Sequence, residues 1–178
     1  IVAKQLGSWR WKGIFTYRDK FMNLIFDSTQ KGIDFGGAMR PITKEIDIVD
    51  VAVKDIYGRP VKYQSIHQVP DNSLDYIFSS HTLEHVKDLD EVLSAMYKKL
   101  KLFGVLALNL PAYSCKRWRA DANYPGIDHV ATFKLQETPI KGFANLITID
   151  TRLKHRGFKI SLAKYTGDNS IVIFAYKE

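Results

Sequence analysis

Two strong apolar runs and three weaker ones occupy the first two thirds of the chain. The strong runs, at 74–78 and 105–110, have the length and composition of buried β-strands. The weaker runs, at 32–37, 46–51 and 61–66, are interrupted by polar residues or end in glycines. The pattern therefore predicts five strands before residue 111.

A helical repeat lies between the two strong runs. Acidic residues occupy its start at 88–91, lysines occur at its end over 98–101, and Gly104 follows. This charge placement favours a helix because it complements the helix dipole, and the glycine is a typical stop signal. The apolar positions that define the repeat are Leu89, Val92, Leu93, Met96 and Leu100.

The C-terminal part predicts a helix followed by a hairpin. A helix over about 148–155 is ended by Gly157, and apolar runs at 158–163 and 170–176 flank a turn at 167–169. Strands that alternate with helices or tight connections, and that end in such a hairpin, indicate an α/β fold with a mostly parallel sheet. Only about ten residues follow each of the first two strands, so we expect shortened early crossovers.

The length of 178 residues predicts a single domain over 1–178 with two accessory segments. The N-terminal segment, 1–30, mixes aromatic and basic residues at partly helical spacing, which favours a helical cover over the core. A membrane-surface helix is the alternative. The segment 111–146 lacks regular periodicity but is rich in aromatic residues, so we expect an ordered, functional loop.

Composition limits the possible settings and partners. The single cysteine, Cys115, excludes an internal disulfide and a thiolate zinc cluster. Apolar runs are all shorter than the roughly 18 residues of a membrane span, and signal-peptide features are absent from the sequence. We therefore expect a reducing, cytoplasmic setting and no transmembrane segment. Oligomeric state is not specified by these patterns.

The formal net charge of +7 lies mainly in the C-terminal part, since residues 1–100 carry +1 and residues 101–178 carry +6. Such an excess suits an anionic partner such as nucleic acid, a phosphorylated sugar or acidic lipid headgroups. Ordinary solvated lysines are the simpler interpretation. Basic residues are densest at 116–119 and 152–156 and are otherwise scattered, so a nucleic-acid partner stays an open alternative.

Two carboxylates follow the first two predicted strands. Asp34 opens the segment Asp34-Phe-Gly-Gly37, whose glycines allow a ligand to approach the backbone. Asp50 closes the second strand, where a carboxylate can accept two hydrogen bonds from a ribose diol. The arrangement predicts a nucleoside site, and the alternative is that Asp50 only caps a turn.

The motifs along the chain resemble those of class I S-adenosylmethionine-dependent methyltransferases, in the small group similar to methyltransferase type 11. The resemblance covers about residues 31–178 and is strongest over 70–111. The motifs that carry it, beside the glycine segment and Asp50, are Pro70, Asp71-Asn72, Leu74-Asp75, His81-Thr-Leu-Glu-His85, Lys101-Leu-Phe-Gly104, Pro111, Asp128-His129 and Arg156-Gly-Phe158.

This resemblance implies a Rossmann-like fold with a seven-stranded sheet and an antiparallel C-terminal hairpin, and S-adenosylmethionine as the cofactor. It also implies an enzyme that methylates an O- or N-nucleophile on a small-molecule, sugar or lipid-like acceptor. The segment 111–146 would then lie on the acceptor side, where its aromatic residues could line the acceptor pocket. These aromatic residues are Tyr113, Trp118 and Tyr124.

The resemblance further implies which residues contact the cofactor. Those expected to cradle the methionine moiety are Asp34, Phe35, Gly36 and Gly37. Asp50 would bind the ribose hydroxyls, with Val51 beside the adenine. Those expected at the adenine edge are Ser65 and Ile66, and those facing the sulfonium are Ser79, Ser80 and His81. Two positions depart from the family pattern: Ala38 replaces a usual glycine, and Ser65 replaces an acidic residue that often accepts from the adenine amino group.

Methyl transfer needs a general base only when the acceptor is a hydroxyl or an acidic carbon. His129 is the first candidate for that base, because it lies in the segment expected to cover the acceptor, and His81 is the second. A purely structural histidine is an equally good interpretation of either position.

Three alternative functions remain open at this point. H-x-x-E-H is also the inverted signature of zinc peptidases, but His81 directly follows a buried strand, so we expect Glu84 and His85 to begin or support a helix rather than to bind metal. An RNA methyltransferase would suit the C-terminal charge, although the Asn/Asp-Pro-Pro-Tyr signature of base-amine methylation is replaced by Ser79-Ser-His-Thr82. The departures at Ala38 and Ser65 also suit a non-catalytic module with the same fold.

Overall fold

The computed structural model describes residues 29–122 and 128–178. The helical cover predicted over 1–30, with its membrane-surface alternative, lies almost wholly outside these residues. The described elements, in chain order, are β1 (Gly32–Phe35), β2 (Asp47–Val49), β3 (Leu74–Ser80), α1 (Leu89–Lys99), β4 (Leu100–Pro111), β5 (Thr132–Lys134), β6 (Leu146–Thr148), α2 (Ile149–His155), β7 (Phe158–Tyr165) and β8 (Ser170–Lys177). Among the helices of the described ranges, none has both the length and the apolar character needed to cross a membrane.

The main sheet has the strand order β2-β1-β3-β4-β8-β7. Strands β2, β1, β3 and β4 run parallel to one another, and β8 and β7 are antiparallel to their neighbours. The prediction of a mostly parallel sheet with an antiparallel C-terminal hairpin is therefore confirmed. This topology brings the carboxyl ends of β1, β2 and β3 to one edge, where ligands of open α/β sheets bind.

The strand predicted over 61–66 does not form as a strand. Tyr63 makes one parallel bridge to Val49, through backbone hydrogen bonds of 3.0 Å from Asp50 and 3.3 Å to Ile48. The extended backbone then stops because Ser65 caps a 3₁₀ turn, its hydroxyl accepting from the amide of His67. The main sheet of the described residues thus has six strands, and Tyr63 marks the position of a seventh beside β2.

Both early crossovers are short, as predicted. Neither connection, 36–46 or 50–62, contains a helix among these described residues. A buried hydrogen bond fixes the first connection: the fully buried Asp34 carboxylate accepts from the backbone amide of Ile42 at 2.8 Å. A buried carboxylate bonded to a loop amide fixes the loop in one conformation.

The sheet has a buried cluster on each face. One cluster combines the sheet with α1 and α2, through side chains that include Ile33, Ile77, Leu93, Met96, Leu106, Ile149 and Leu153. The other combines the opposite face with the first crossover, through side chains that include Ile42, Ile46, Ile48, Tyr76, Phe78 and Ala107. Alternation along β3 and β4 therefore assigns neighbouring residues to opposite layers.

The segment 111–146 is more regular than its sequence predicts. Strand β5 pairs in parallel with β6 as a separate two-stranded sheet, and Phe133 of β5 is fully buried. Three-residue strands are too short to produce a recognisable alternation of apolar and polar positions. This small sheet anchors the segment that contains His129.

Candidate active site

A cavity of about 680 Å³ opens at the carboxyl ends of β1, β2 and β3. This volume lies within the roughly 300–1,000 Å³ of small-molecule sites in proteins. Seven of the residues predicted to contact a cofactor line it: Phe35, Gly36, Asp50, Val51, Ser65, Ile66 and His81. The fold thus brings together residues from four separate parts of the sequence.

The other four predicted cofactor residues lie behind this lining. Asp34 is occupied with the first crossover, and a Cβ on Gly37 would lie 2.4 Å from the Asp34 carboxyl carbon. Ser79 Oγ donates to the Phe35 carbonyl at 3.1 Å, and Ser80 Oγ accepts from Asn109 at 3.1 Å. These contacts support the backbone around the cavity, and direct contact of these four residues with a cofactor stays a prediction.

Gly36 occupies a position that requires glycine. Its φ of +78° is in the left-handed region, and a Cβ there would lie 2.1 Å from Thr82 Oγ1. The glycine turn after β1 and the His81–His85 segment after β3 therefore touch at this point. Any side chain at 36 would push these two parts of the cavity wall apart.

Asp50 both caps a turn and faces the cavity. Its two carboxylate oxygens accept backbone hydrogen bonds, Oδ2 from Ala38 at 3.1 Å and Oδ1 from Ala52 at 3.0 Å. An ionised carboxylate has about four acceptor positions, so each oxygen can accept a further hydrogen bond. Both interpretations of Asp50 from the sequence are therefore compatible with one geometry.

The two departures from the family pattern have local explanations. Ala38 is 1% exposed, contributes to the second buried cluster and does not adopt a positive φ, so a glycine is not required there. Ser65 lines the cavity while its hydroxyl caps the 3₁₀ turn Ile66–Gln68. Val51, predicted beside the adenine, is 88% exposed at the cavity mouth, where a planar apolar ring could cover it.

The His81–His85 segment does not form the metal-binding helix of a zinc peptidase. Strand β3 ends at Ser80, His81 turns the chain with a φ of +51°, and a 3₁₀ turn covers Leu83–His85. His81 is thus at the strand end, as predicted, and the two histidines do not share a regular α-helix. Helix α1 starts only at Leu89, capped by Asp88.

Glu84 and His129 are the buried members of a histidine cluster, which we define as Glu84, His81, His85 and His129. A 2.7 Å hydrogen bond from the Val130 amide to the Glu84 carbonyl joins the two segments. The rings of His85 and His129 are 4.6 Å apart, and His81 Nδ1 lies 3.5 Å from Glu84 Oε1. Sequence reasoning assigned Glu84 a supporting role and missed that it points into this cluster.

His129 itself is 7% exposed, and Trp118 lies against its ring at 4.9 Å. Burial lowers the pKa of His129 below its ordinary value, and the neighbouring His85 and His81 act in the same direction against the opposing charge of Glu84. The neutral imidazole, which can accept a proton or bind a cation, is therefore the form favoured at neutral pH.

A second cavity, of about 450 Å³, shares the lining residue His81 with the first. Trp118 lines it together with Cys115, Arg117 and residues 168–170, and its predicted contact with an acceptor stays a prediction. Burial raises the pKa of the Cys115 thiol, which disfavours the reactive thiolate. Tyr113 instead packs against Phe143 and Tyr165, and Tyr124 falls outside the described residues.

One of the two basic clusters noted in the sequence is engaged internally. Arg152 and Arg156, from the 152–156 cluster, both pair with Asp90 at 2.5 Å and 3.0 Å. Lys116 and Arg117, from the other cluster, are exposed near the second cavity. The anionic-partner hypothesis therefore depends mainly on the 116–119 cluster.

Comparisons with known proteins agree with this geometry. Residues 14–160 match the model of a family described as a methyltransferase domain. The chain is 26% identical over 97 residues to phosphoethanolamine N-methyltransferase 2 of Caenorhabditis elegans, a match that covers 44% of this chain and 22% of that enzyme.

Solved structures show the same fold at low identity. An S-adenosylmethionine-dependent methyltransferase from Mesorhizobium loti has a TM-score of 0.67 at 13% identity, covering 97% of this chain and 100% of that one. A methyltransferase from Archaeoglobus fulgidus has a TM-score of 0.61 at 18% identity, and the match covers 98% of this chain and 96% of that one. From the family match and the cavity together, the chain belongs to the class I S-adenosylmethionine-dependent methyltransferases.

Proposed function

We propose that this protein transfers a methyl group from S-adenosylmethionine to an O- or N-nucleophile of a small-molecule, sugar or lipid-like acceptor. The observation that carries the proposal is that His81 lines two neighbouring cavities. The first is also lined by Gly36, Asp50 and Val51, and the second by Trp118 and Arg117. A donor and an acceptor bound in adjoining cavities are in position for direct transfer.

The first cavity has the features that the cofactor requires. Gly36 leaves room for close approach to the backbone, Asp50 keeps acceptor capacity for a ribose diol, and Val51 offers an uncovered apolar surface for a base. S-adenosylmethionine, when bound, supplies a sulfonium-activated methyl group. The chain's own residues then need to hold the nucleophile in line, and such positioning can contribute on the order of 7–11 kcal/mol.

For a hydroxyl acceptor, His129 is our first candidate for the base and His81 the second. The acceptor oxygen forms its bond to the methyl carbon as the carbon–sulfur bond breaks, sulfur keeps the electron pair, and the hydroxyl proton passes to the imidazole. Burial keeps His129 neutral and able to accept that proton. General-base assistance of this kind contributes roughly 10²–10⁴ in rate.

Two features guide the choice of methyl acceptors to be tested. Arg117 lines the second cavity and suits an acceptor that carries phosphate or another anionic group. The C. elegans relative is named as a phosphoethanolamine N-methyltransferase, although the match covers 22% of its length. We therefore propose to test phosphoethanolamine, free amines, and sugar and lipid-headgroup hydroxyls in parallel.

The experiment combines calorimetry with a transfer assay. Titration of the purified protein with S-adenosylmethionine should give saturable binding, and radiolabelled methyl groups should appear on at least one acceptor of the panel. The His129→Ala variant should keep cofactor affinity and lose turnover on a hydroxyl acceptor. Absence of binding heat at millimolar cofactor would rule out the proposed function.

A further inference from the structure

Glu84, His85 and His129 offer ligand atoms that all lie within 4.8 Å of one another. Glu84 is fully buried, and within the described part of the chain neither of its carboxylate oxygens has a hydrogen-bond partner. The two ring nitrogens of His129 are buried and likewise lack a hydrogen-bond partner among the described residues. Four buried polar atoms without hydrogen bonds in one place are costly unless a further group satisfies them.

We propose that Glu84, His85 and His129 bind a divalent first-row transition-metal ion. Two imidazoles and one carboxylate form a ligand set that suits zinc, iron, manganese or cobalt and leaves coordination positions open. The cation would satisfy the buried negative charge of Glu84, which His81 Nδ1 approaches only to 3.5 Å. His81 would approach the ion from the side of the second cavity, which it also lines.

The surroundings of His85 support this assignment. Its Nδ1 lies 3.2 Å from Asp128 Oδ1, so Nε2 is the nitrogen available to a metal. Metal-binding histidines commonly use the second ring nitrogen in this way, to a carboxylate that fixes the ring orientation. The side chain of His85 is 37% exposed and also lines the first cavity, which gives an ion a path from solvent.

Side-chain movements would complete the geometry. Ligand atoms of a tetrahedral site with bonds of about 2.1 Å lie roughly 3.4 Å apart. The three candidate ligand atoms all lie within 4.8 Å of one another. The side chains therefore need to close by up to about 1.4 Å for an ion to be held.

The location suggests what the ion does, a consequence that rests on the proposed function. Because His81 lines both cavities, an ion in the cluster would lie close to the proposed donor and acceptor cavities. It would orient an acceptor oxygen and lower the pKa of its hydroxyl, which otherwise needs a base. In the metal-loaded protein His129 would then act as a ligand, and the acceptor proton would leave to solvent.

The test measures metal binding directly. Purified protein is treated with EDTA, desalted and titrated with Zn²⁺ by calorimetry and with Co²⁺ by visible absorption. We expect one ion per chain, and at least tenfold weaker binding by Glu84→Gln and by His129→Ala. His155→Gln, which removes an exposed histidine at the end of α2, should bind as tightly as the wild type.

The outcomes are separable from those of the proposed function. Circular dichroism checks that the variants fold, and His85→Gln, at a partly exposed side chain, replaces His129→Ala if that variant unfolds. Lack of saturable binding by the wild type, or equal binding by Glu84→Gln, would overturn the metal site. Asp128→Asn should weaken binding by about 10- to 100-fold, as is usual when the carboxylate partner of a ligating histidine is removed. Cofactor titration of the same samples tests the proposed function independently.

Discussion

The glycine turn after β1 lies against Thr82, which is next to His81 of the histidine cluster. The two regions differ in how their polar side-chain atoms are satisfied. In the first region, the Asp34 and Asp50 carboxylates accept backbone hydrogen bonds at 2.8–3.1 Å. In the second, the Glu84 carboxylate and the His129 ring have no hydrogen bonds within the described residues.

This difference indicates two kinds of site. A wall whose polar groups are already bonded to its own backbone is formed before the ligand arrives, and its ligand uses the remaining acceptor positions. A buried carboxylate and a buried imidazole without hydrogen bonds, such as those of Glu84 and His129 within the described residues, are destabilising until something binds there. The first region is therefore expected to keep its structure without ligand, and the second to gain stability from one.

Gly36→Ala should have the largest effect on the preformed region. The added methyl group would lie 2.1 Å from Thr82 Oγ1, and the alanine would also have to adopt the backbone φ of +78°. We expect loss of measurable S-adenosylmethionine binding in calorimetry. Gly58→Ala is a matched control, since Gly58 has the same φ of +78° with open space around it. It should lose only about 1–2 kcal/mol of stability, the cost of that backbone conformation.

If both glycine variants bound the cofactor equally well, the contact between Gly36 and Thr82 would not shape the cofactor cavity. If both lost binding, backbone strain rather than the clash would be responsible. Thermal unfolding of the two variants separates these cases, because the strain is common to both and the clash belongs to Gly36 alone.

Asp50→Ala should weaken cofactor binding by about 10- to 100-fold, because hydrogen bonds to a charged group contribute roughly 1.5–3 kcal/mol. Asp55→Ala is its control: Asp55 also caps a turn, accepting from Tyr57 and Arg59 at 2.9 Å, but does not line the cavity. Both variants should lose stability, and only Asp50→Ala should lose affinity. If Asp50→Ala and Asp55→Ala bound the cofactor with equal affinity, the ribose would not lie at Asp50.

The sequence predicted the preformed region well because its signals are local. Apolar runs identified β1, β2, β3 and β4, and the position of Asp50 at the end of an apolar run indicated its place at the cavity. The strand over 61–66 was overpredicted, since the cap at Ser65 ends the extended backbone after a single bridge at Tyr63. Such a cap competes with strand formation through a few hydrogen bonds that composition does not reveal.

The histidine cluster was predicted only in part because it depends on a long-range contact. His81 was correctly expected at the end of β3, but His129 reaches Glu84 through the hydrogen bond of Val130 and the support of β5 and β6. Those strands are three residues each, too short for a periodic signal. The burial of Glu84 could therefore not be read from its own segment.

Two amide substitutions should reveal the contrast in stability. Asp34→Asn removes the charge from a hydrogen-bonded buried carboxylate and should lower the free energy of unfolding by roughly 1–3 kcal/mol. Glu84→Gln removes the charge from an unsatisfied one and should leave the metal-free protein as stable as before, or more stable by about 1 kcal/mol. Urea unfolding in EDTA measures both. A large loss for Glu84→Gln would mean that Glu84 is already satisfied in the metal-free protein.

Ser65→Asp should produce the smallest of the predicted changes in cofactor affinity, and this change should be a gain. Aspartate is as good a cap as serine for the turn Ile66–Gln68, so the free energy of unfolding should not change. If the adenine amino group lies at this edge of the cavity, the new carboxylate would accept from it, and cofactor affinity should rise by up to about tenfold, the equivalent of a single hydrogen bond of roughly 1.4 kcal/mol. The inosine analogue of S-adenosylhomocysteine, in which oxygen replaces that amino group, should lose this gain and bind the variant more weakly than the wild type. A gain that persisted with the inosine analogue would locate the adenine elsewhere, and would limit the preformed wall to Gly36 and Asp50.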